Sequence, residues 1–307
     1  MRSCEHLLID GKNAIYRAIF AGYGDPAFKA TGYDYFVIMV RFIGSYISLF
    51  NPHNVHIFWD GPRDKIWRKA IIQEYKEHRA EKYKDLEIDI HSELKRQVGL
   101  SIVAFKYLNC RQYYREGMEA DDLIYSFCTL NRESTVIISS DQDFRQISYK
   151  MDHVHIYNPL SKEPQVEPKP DVDVVIVKSL MGDKSDNIIG YYNIGPVKST
   201  EMAKDKPKMQ EFLRSNKAIV MVDGEPKVVG DSLFMRNRRI IDLSWCPHIA
   251  DNCEYVEYKQ QTMIILDQKK VENMANQNRV RGLPSDLPRY IPQFMALASP
   301  RHTGQCD

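Results

Sequence analysis

The chain has 307 residues, 43% of them hydrophobic, and its 42 basic and 41 acidic residues leave a net charge of +1. This length and composition can bury a full core and exclude a wholly disordered chain. The 6 cysteines are scattered, without the spacing of a zinc motif or a disulfide framework. No apolar run approaches the roughly 18 residues of a membrane span, and no signal peptide precedes the first run. We therefore expect a soluble, cytoplasmic protein without a membrane partner.

In the first half of the chain, short apolar runs alternate with helical patterns. The runs that predict strands are residues 6–9, 55–59, 102–107, 135–139 and 154–157. Helical or charge-rich patterns predict helices through Ile15 and Ile19 and over residues 36–50, 64–84 and 120–130. Strands that alternate with helices predict an α/β fold, with a largely parallel central sheet flanked by helices.

The second half of the chain has a different pattern. Residues 161–170 (SKEPQVEPKP) are rich in proline and charge and predict a loop. Beyond this loop helical patterns dominate, and only residues 218–229 have a strand-like pattern. We therefore predict an α/β domain over residues 1–175 and a mainly helical region over residues 176–307.

Acidic residues are concentrated where the predicted strands end. Asp10, Asp60 and Asp141 each follow an apolar run. The other acidic residues in these motifs are Glu119, Asp121 and Asp122 at the start of a predicted helix, Asp143 after Asp141, and Asp183 and Asp186 in GDKSDN. Because open α/β sheets place their ligand sites at the carboxyl ends of the strands, we expect these carboxylates to converge.

Converging carboxylates have an ordinary interpretation and a chemical one. Each aspartate alone is equally well explained as a turn or helix-cap residue. Carboxylates within about 4–6 Å repel one another, however, unless a cation neutralises them. Mg²⁺ and Mn²⁺ prefer oxygen ligands, and so large a group suits two ions, an arrangement that cleaves phosphodiesters. The sequence has no His or Cys cluster that would favour zinc, and no nucleotide-binding P-loop.

A basic stretch with interleaved aromatic residues follows Asp60. Its basic residues are Arg63, Lys65, Arg68, Lys69, Lys76, Arg79, Lys82 and Lys84, and its aromatic residues are Trp67, Tyr75 and Tyr83. The composition alone is typical of a solvated amphipathic helix. It also suits a single nucleic-acid strand, whose bases stack on rings and whose phosphates attract cations.

Five motifs together resemble the flap endonuclease/5′-3′ exonuclease family, which has a PIN-like nuclease fold. They are LIDGKNAIYRA, FWDG, EADDLIYSF, SSDQDF and GDKSDNIIGYYNIGPVKST, in the family's order and approximate spacing over residues 6–245. Within the family, the chain most resembles phage members such as the ribonuclease H of T-even phages, in its length and in RNRRIIDLSW at residues 236–245. We therefore expect a phage protein that is located in the host cytoplasm. The resemblance implies a metal-dependent nuclease, monomeric, with a role in DNA replication or repair.

The resemblance also implies roles for the acidic residues. Those similar to ligands of a first metal ion or of its waters are Asp10, Asp60, Glu119, Asp121 and Asp141, with Asp122 in the same cluster. Asp143, Asp183 and Asp186 resemble the second-metal group, to which Asp141 would form a bridge. Asp122 and Asp141 are also candidate catalytic residues. The division of the carboxylates between two Mg²⁺ or Mn²⁺ ions stays open.

The basic stretch, residues 62–90, resembles the helical arch through which the family passes the 5′ strand. Lys76 and Arg79 match the family's Y-K-x-x-R pattern and are the candidates for stabilising charge on the scissile phosphate. The expected nucleic-acid contacts of this region are Arg63, Arg68, Lys69, Tyr75, Lys76, Arg79 and Lys82.

Residues 183–204 resemble the family's helix–turn–helix-like segment, which approaches duplex phosphates and often holds K⁺. Gly190, Gly195 and Lys198 are the expected contacts here. Tyr192-Asn193 stand where the family usually has Pro-Gly. Asparagine tolerates a positive φ, so we expect the turn to survive, while K⁺ binding and tight duplex binding stay open.

The implied substrates are DNA with a free 5′ end or flap, nicked or gapped duplexes, and RNA primers paired with DNA. The motifs do not separate exonuclease from endonuclease action, or RNA from DNA preference. Two other classes stay open: a non-catalytic nucleic-acid-binding protein that retains the fold, and a phosphohydrolase of small phosphate esters. The residues after Trp245 contain no clamp-binding motif, so a polymerase clamp or single-strand binding protein stays open as a partner.

Overall fold

A five-stranded sheet forms the centre of the first half of the chain. The computed structural model describes residues 3–77, 88–161, 166–247 and 267–297. The strands of this sheet are β1 His6–Asp10, β2 Asn54–Trp59, β3 Arg111–Tyr114, β4 Thr135–Ile138 and β5 Val154–Tyr157. Their order is β3-β2-β1-β4-β5, and every neighbouring pair is parallel. All five strands therefore end at one edge, and the predicted α/β fold with a parallel sheet is confirmed.

Helices surround this sheet and make up most of the second half. The described helices are α1 Gly11–Gly24, α2 Pro26–Thr31, α3 Tyr35–Phe50, α4 Ile90–Phe105, α5 Ala120–Leu130, α6 Arg145–Lys150, α7 Val174–Met181, α8 Pro196–Lys204, α9 Lys206–Arg214, α10 Asp231–Ile241, α11 Gln268–Gln277 and α12 Leu283–Met295. Two antiparallel pairs join them, β6 Gly182–Asp183 with β7 Ile188–Ile189 and β8 Ile219–Val222 with β9 Glu225–Val228. The last pair confirms the strand-like pattern at residues 218–229. Within the described ranges, no helix is long and apolar enough to cross a membrane.

The side chains of β1 show why helices cover both faces of the sheet. Leu7 and Ile9 join the apolar cluster formed with α1, α3 and α4, whereas Leu8 joins the cluster formed with α5 and α6. Successive residues of a strand point to opposite faces, so a strand that is buried on both faces is apolar at every position. The short run HLLI is therefore a central strand.

The predicted strand at residues 102–107 is wrong. Most of this run is the end of α4, which continues to Phe105. A short apolar run cannot be distinguished from a buried helix segment by periodicity alone. The strand that was missed, β3, is at the edge of the sheet and has the polar sequence RQYY, in which the buried Gln112 accepts from Trp59 Nε1 over 3.0 Å.

The predicted helix at residues 64–84 is only partly within the described residues. From Arg63 to Glu77 the chain forms 3₁₀ turns and irregular turns, and no α-helix. Trp67 and Arg68 are buried here, and their polar contacts to distant residues override the helical periodicity. Residues 78–87 lie outside the described residues.

The last two helices return to the first half of the chain. Val271, Met274, Leu287 and Phe294 belong to the apolar cluster of α1, α3 and α4. Residues 176–247 have a separate small cluster that includes Leu180, Tyr191, Met202, Leu233 and Phe234. Ile240 and Ile241, however, pack with Ile66 and Tyr75, and residues 267–297 pack with the sheet domain, so the boundary near residue 175 stays a prediction.

Candidate metal centre and nucleic-acid interface

Three carboxylates, the strand-end group, lie at the carboxyl ends of β1, β2 and β4: Asp10 is the last residue of β1, and Asp60 and Asp141 follow β2 and β4. Asp10 caps α1 by accepting from the Asn13 backbone N–H over 2.9 Å. Asp60 accepts from the Ala120 backbone N–H over 2.9 Å. Burial, followed by the charges of Asp60 and Asp141, raises the pKa of Asp10 to about 7. Asp60 and Asp141 therefore lie close enough to Asp10 for their charges to oppose its ionisation.

A second set of carboxylates, the α5 group, lies at the N-terminus of α5 and consists of Glu119, Asp121 and Asp122. One oxygen of each lies within 4.8 Å of the others. Asp122 accepts from the Glu119 backbone N–H over 3.0 Å as part of a capping box. Burial, followed by the charges of Asp122 and Glu119, raises the pKa of Asp121 well above its usual range. The hydrogen bond from Ala120 to Asp60 places this group beside the strand-end group.

A third set, the α7 group, consists of Asp143, Asp183 and Asp186, whose oxygens also lie within 4.8 Å of one another. Asp143 follows β4, whereas Asp183 and Asp186 follow α7, so both halves of the chain contribute. Lys178 Nζ donates to Asp143 over 2.5 Å and to Asp183 over 2.8 Å. Burial raises the pKa of Asp143 to about 6, although the Lys178 charge opposes the rise. Lys178 is not among the residues predicted from the sequence, although it is the one charged residue in the apolar helix VVIVKSLM.

Arg68 is buried among these carboxylates, with 2% of its side chain exposed. Its Nη1 and Nη2 donate to the two oxygens of Asp122 over 2.9 and 2.8 Å, and Nη1 also donates to Glu119 over 2.8 Å. Trp67 Nε1 donates to Asp122 over 3.1 Å. The guanidinium of Arg68 therefore has almost no accessible surface, and its predicted contact with nucleic acid stays a prediction. The same bonds favour a counter-ion role for Asp122 over the predicted metal ligation.

Lys76 lies between the α5 group and the α7 group. Its Nζ donates to Glu119 over 2.7 Å and lies 3.7 Å from Asp186. Tyr75 Oη lies 3.1 and 3.2 Å from the same two carboxylates. Burial opposes ionisation of Glu119, but the charges of Lys76 and Arg68 hold its pKa at about 2. Only 3% of Tyr75 is exposed, and the predicted contact of its ring with nucleic acid stays a prediction.

The ligand chemistry of the three groups fits divalent cations. Every candidate donor is a carboxylate oxygen, which hard divalent ions prefer. Each group also has an ammonium beside it: Lys12 lies 3.0 Å from Asp60, and Lys76 and Lys178 contact the α5 and α7 groups. Because carboxylates that crowd together are stabilised by positive charge, the ammonium groups lower the cost of bringing these carboxylates together. Lys12, like Lys178, is not among the residues predicted from the sequence.

The remaining predicted contacts of the basic stretch lie at the margin of this site. Arg63 is exposed, and its guanidinium donates to the Lys76 carbonyl. Lys69 is half-buried. Arg79 and Lys82 lie outside the described residues.

The turn between β7 and α8 carries the predicted duplex contacts. Asn193 has a φ of 58°, which confirms that asparagine supplies a positive φ in this turn. Gly190 is packed so closely that a Cβ there would lie 2.0 Å from the Met181 carbonyl oxygen. Gly195 precedes α8 with open space around it, and the exposed Lys198 donates to the Asn193 carbonyl over 3.1 Å. A backbone turn and a cation are therefore exposed together.

Comparisons with known sequences identify relatives along the chain. Residues 5–177 match the family described as 5′-3′ exonuclease, N-terminal resolvase-like domain. The chain is 27% identical to a 5′-3′ exonuclease of Mycoplasma genitalium over 215 residues, which cover 64% of this chain and 70% of that protein. It is 24% identical to a 5′-3′ exonuclease of Bacillus subtilis over 316 residues, which cover 94% of this chain and 98% of that protein.

Solved structures share the fold. The T5 D15 protein with metal ions has a TM-score of 0.59 at 18% identity, covering 90% of this chain and 98% of that chain. The catalytic core of Rad2 in complex with DNA substrate has a TM-score of 0.53 at 15% identity, covering 95% and 94%. Of these relatives, only the bacteriophage T5 protein supports the expected likeness to phage members, since both sequence relatives are bacterial. The family match covers more than half of the chain and includes the strand-end and α5 groups, so the chain belongs to the 5′-3′ exonuclease family.

Proposed function

We propose that this chain is a structure-selective 5′ nuclease of DNA replication or repair. It hydrolyses phosphodiester bonds in DNA flaps, in nicked or gapped duplexes, and in RNA primers paired with DNA. The observation that carries the proposal is the convergence of carboxylates from β1, β2, β4, α5 and α7 in a chain of the 5′-3′ exonuclease family. Similar structures include a T5 flap endonuclease in a pseudo-enzyme-product complex with DNA and metal ions.

The proposed cofactors are two divalent ions, Mg²⁺ or Mn²⁺. The residues that would hold the first ion are Asp10, Asp60, Glu119, Asp121 and Asp141. The α7 group would hold the second ion. Bound there, the ions supply Lewis-acid chemistry, which lowers the pKa of an attacking water and stabilises the leaving oxygen. Asp122 takes part indirectly, as the counter-ion of Arg68.

Lys76 is the proposed contact to the scissile phosphate. Its ammonium lies between Glu119 and Asp186, so a phosphate that spans the α5 and α7 groups would meet it. The proposed contacts further along the strand are Arg63, Lys69, Arg79 and Lys82. At the helix–turn–helix-like segment, the proposed contacts to duplex phosphates are Gly190, Gly195 and Lys198, and K⁺ is a proposed ligand of the same turn.

The two alternative classes explain fewer of these features. A non-catalytic nucleic-acid-binding protein has no need for the α5 and α7 groups, whose mutual repulsion opposes folding. A phosphohydrolase of small esters leaves the basic stretch and the exposed turn around Asn193 without a use. The nuclease accounts for the carboxylates and for both basic regions.

A cleavage assay tests the proposal. A 5′-labelled DNA flap, the same flap with RNA at its 5′ end, a nicked duplex and a plain duplex are incubated with Mg²⁺ or with EDTA. We expect cutting at the flap junction in Mg²⁺ and none in EDTA. Asp141→Ala should abolish cutting because it removes a proposed metal ligand. Asp152→Ala, a fully exposed aspartate outside the three groups, is the matched control and should cut like the wild type.

Each outcome of this assay has a distinct meaning. Stepwise trimming from the 5′ end without cutting at the junction would support the assignment as a nuclease and show that the activity is that of an exonuclease. Binding without cleavage, in Mg²⁺ and in Mn²⁺, would refute the enzyme and favour the non-catalytic class. Equal activity of Asp141→Ala and Asp152→Ala would remove Asp141 from the site.

A further inference from the structure

The C-terminal end of α10 meets the buried Arg68 side chain. Arg68 Nε donates to the Ile240 carbonyl over 2.9 Å, while the other end of the guanidinium holds Asp122 and Glu119. The last carbonyls of a helix have no partner within the helix, so this contact satisfies one of them. One side chain thereby joins the segment after β2, the start of α5 and the end of α10.

The same helix is tied to the α7 group three residues earlier. Asn237 is fully buried, and its Nδ2 donates to the carbonyls of Ser179 over 3.1 Å and Ile189 over 2.8 Å. These two carbonyls flank the turn that carries Asp183 and Asp186. The side-chain amide therefore fixes both sides of that turn to α10.

We propose that Arg68 and Asn237 are positioning residues that set the separation of the α5 group and the α7 group, with α10 as the rigid spacer between them. Along an α-helix, residues three apart are separated by about 4.5 Å, and the backbone hydrogen bonds hold this spacing. The inference rests on the proposed metal site. It assigns a role to the RNRRII sequence, which none of the proposed metal or nucleic-acid contacts uses.

The chemistry of the guanidinium supports positioning over simple stabilisation. A buried ion pair contributes little net stability compared with apolar side chains of the same volume. A guanidinium offers a planar fork, however, that fixes the orientation of the carboxylate it binds. Held in this way, Asp122 sets the start of α5, from which Glu119 and Asp121 project toward the proposed metal site. A lysine at position 68 keeps the charge but has no fork.

Mn²⁺ binding without nucleic acid tests the inference. Calorimetry measures the affinity, and electron paramagnetic resonance measures the spin coupling between two bound Mn²⁺ ions, which depends on their separation. We expect Arg68→Lys to weaken Mn²⁺ binding roughly 10–100-fold. We expect Asn237→Leu at saturating Mn²⁺ to change or lose the spin coupling. The controls, Lys65→Gln on the same segment as Arg68 and Met235→Leu on the exposed face of α10, should match the wild type.

The outcomes separate this inference from the proposed function. If the wild type binds no Mn²⁺, the proposed metal site fails. If the wild type binds a coupled pair and both variants keep its affinity and its coupling, the positioning role is overturned. If the variants do not fold, the wild type still provides the test through the ¹⁵N resonance of Arg68 Nε. We expect slow exchange of this N–H with water, with or without Mn²⁺, and fast exchange in both states would overturn the inference.

Discussion

Lys178 Nζ lies 2.8 Å from the carboxylate of Asp183, and the same ammonium also holds Asp143 on the other half of the chain. Lys178→Met removes this cation while keeping an unbranched side chain. Without a metal ion, the two carboxylates then repel, and we expect the free energy of unfolding to fall by roughly 1–3 kcal/mol. Urea denaturation in EDTA measures this loss. Added Mg²⁺ should recover most of it, because the ion replaces the missing charge.

Lys184→Met is the matched control, since Lys184 is an exposed lysine in the turn after α7. Its stability should change little, in EDTA or in Mg²⁺. A loss in Lys178→Met that stays the same in EDTA and in Mg²⁺ would show that Lys178 acts through packing and not through the charge of the α7 group.

Removal of Lys76 should affect metal binding and turnover in opposite directions. Its ammonium occupies the space between Glu119 and Asp186, so Lys76→Met leaves more negative charge for a divalent ion. We expect tighter Mn²⁺ binding by calorimetry. We also expect kcat on a flap substrate to fall roughly 10²–10³-fold, the typical cost of losing a group that stabilises transition-state charge. Lys65→Met, on the same segment, should change neither quantity by a comparable amount.

The stability of the protein should depend on pH through His56. This imidazole is buried between His6, at 3.1 Å, and the Tyr113 hydroxyl, at 2.9 Å. Burial, followed by the charges of His6 and Arg111, lowers its pKa well below 6.5. Because the unfolded chain binds the proton more readily, the contribution of neutral His56 is present above about pH 6.5 and is lost as the pH falls.

His56→Gln should therefore make the fall in stability between pH 7.5 and 5.5 smaller, by up to about 1.4 kcal/mol per pH unit below the unfolded pKa. Urea denaturation at the two pH values measures the difference. His91→Gln, at an exposed histidine, should keep the wild-type dependence. The same slope in wild type and His56→Gln would show that other groups carry the acid sensitivity.

Two glycines of the helix–turn–helix-like segment should respond differently to alanine. A Cβ at Gly190 would lie 2.0 Å from the Met181 carbonyl oxygen and 2.6 Å from the Gly182 nitrogen. Both are backbone atoms, so we expect Gly190→Ala to cost about 3 kcal/mol, at the upper end for overpacking. Gly195 has open space around it, so Gly195→Ala should cost about 1 kcal/mol or less, as a helix cap. Thermal unfolding measures the loss of stability in each variant. Equal losses of stability in the two variants would contradict the packing argument.

The sequence by itself determined the central sheet and the edge at which the site lies. Four of the five predicted strands are present because runs such as HLLI are buried on both faces and must be apolar throughout. Parallel strands end at the same edge, so the sequence placed Asp10 and Asp60 on one edge, and the pairing of β1 with β2 in the structure makes them neighbours. The motifs around these carboxylates also identified the family.

Only the tertiary structure decided which charged residues are buried as partners and which are exposed. Arg68 and Tyr75 belong to a stretch whose composition suits a solvated or nucleic-acid-binding surface. The partners of Arg68, however, are 51 residues away at Glu119, 54 away at Asp122 and 172 away at Ile240. Spacing along the chain reports how side chains repeat on one element, and does not report which distant carboxylate meets a cation. For the same reason, the roles of Lys178 and α10 became visible only when the two halves of the chain were brought together.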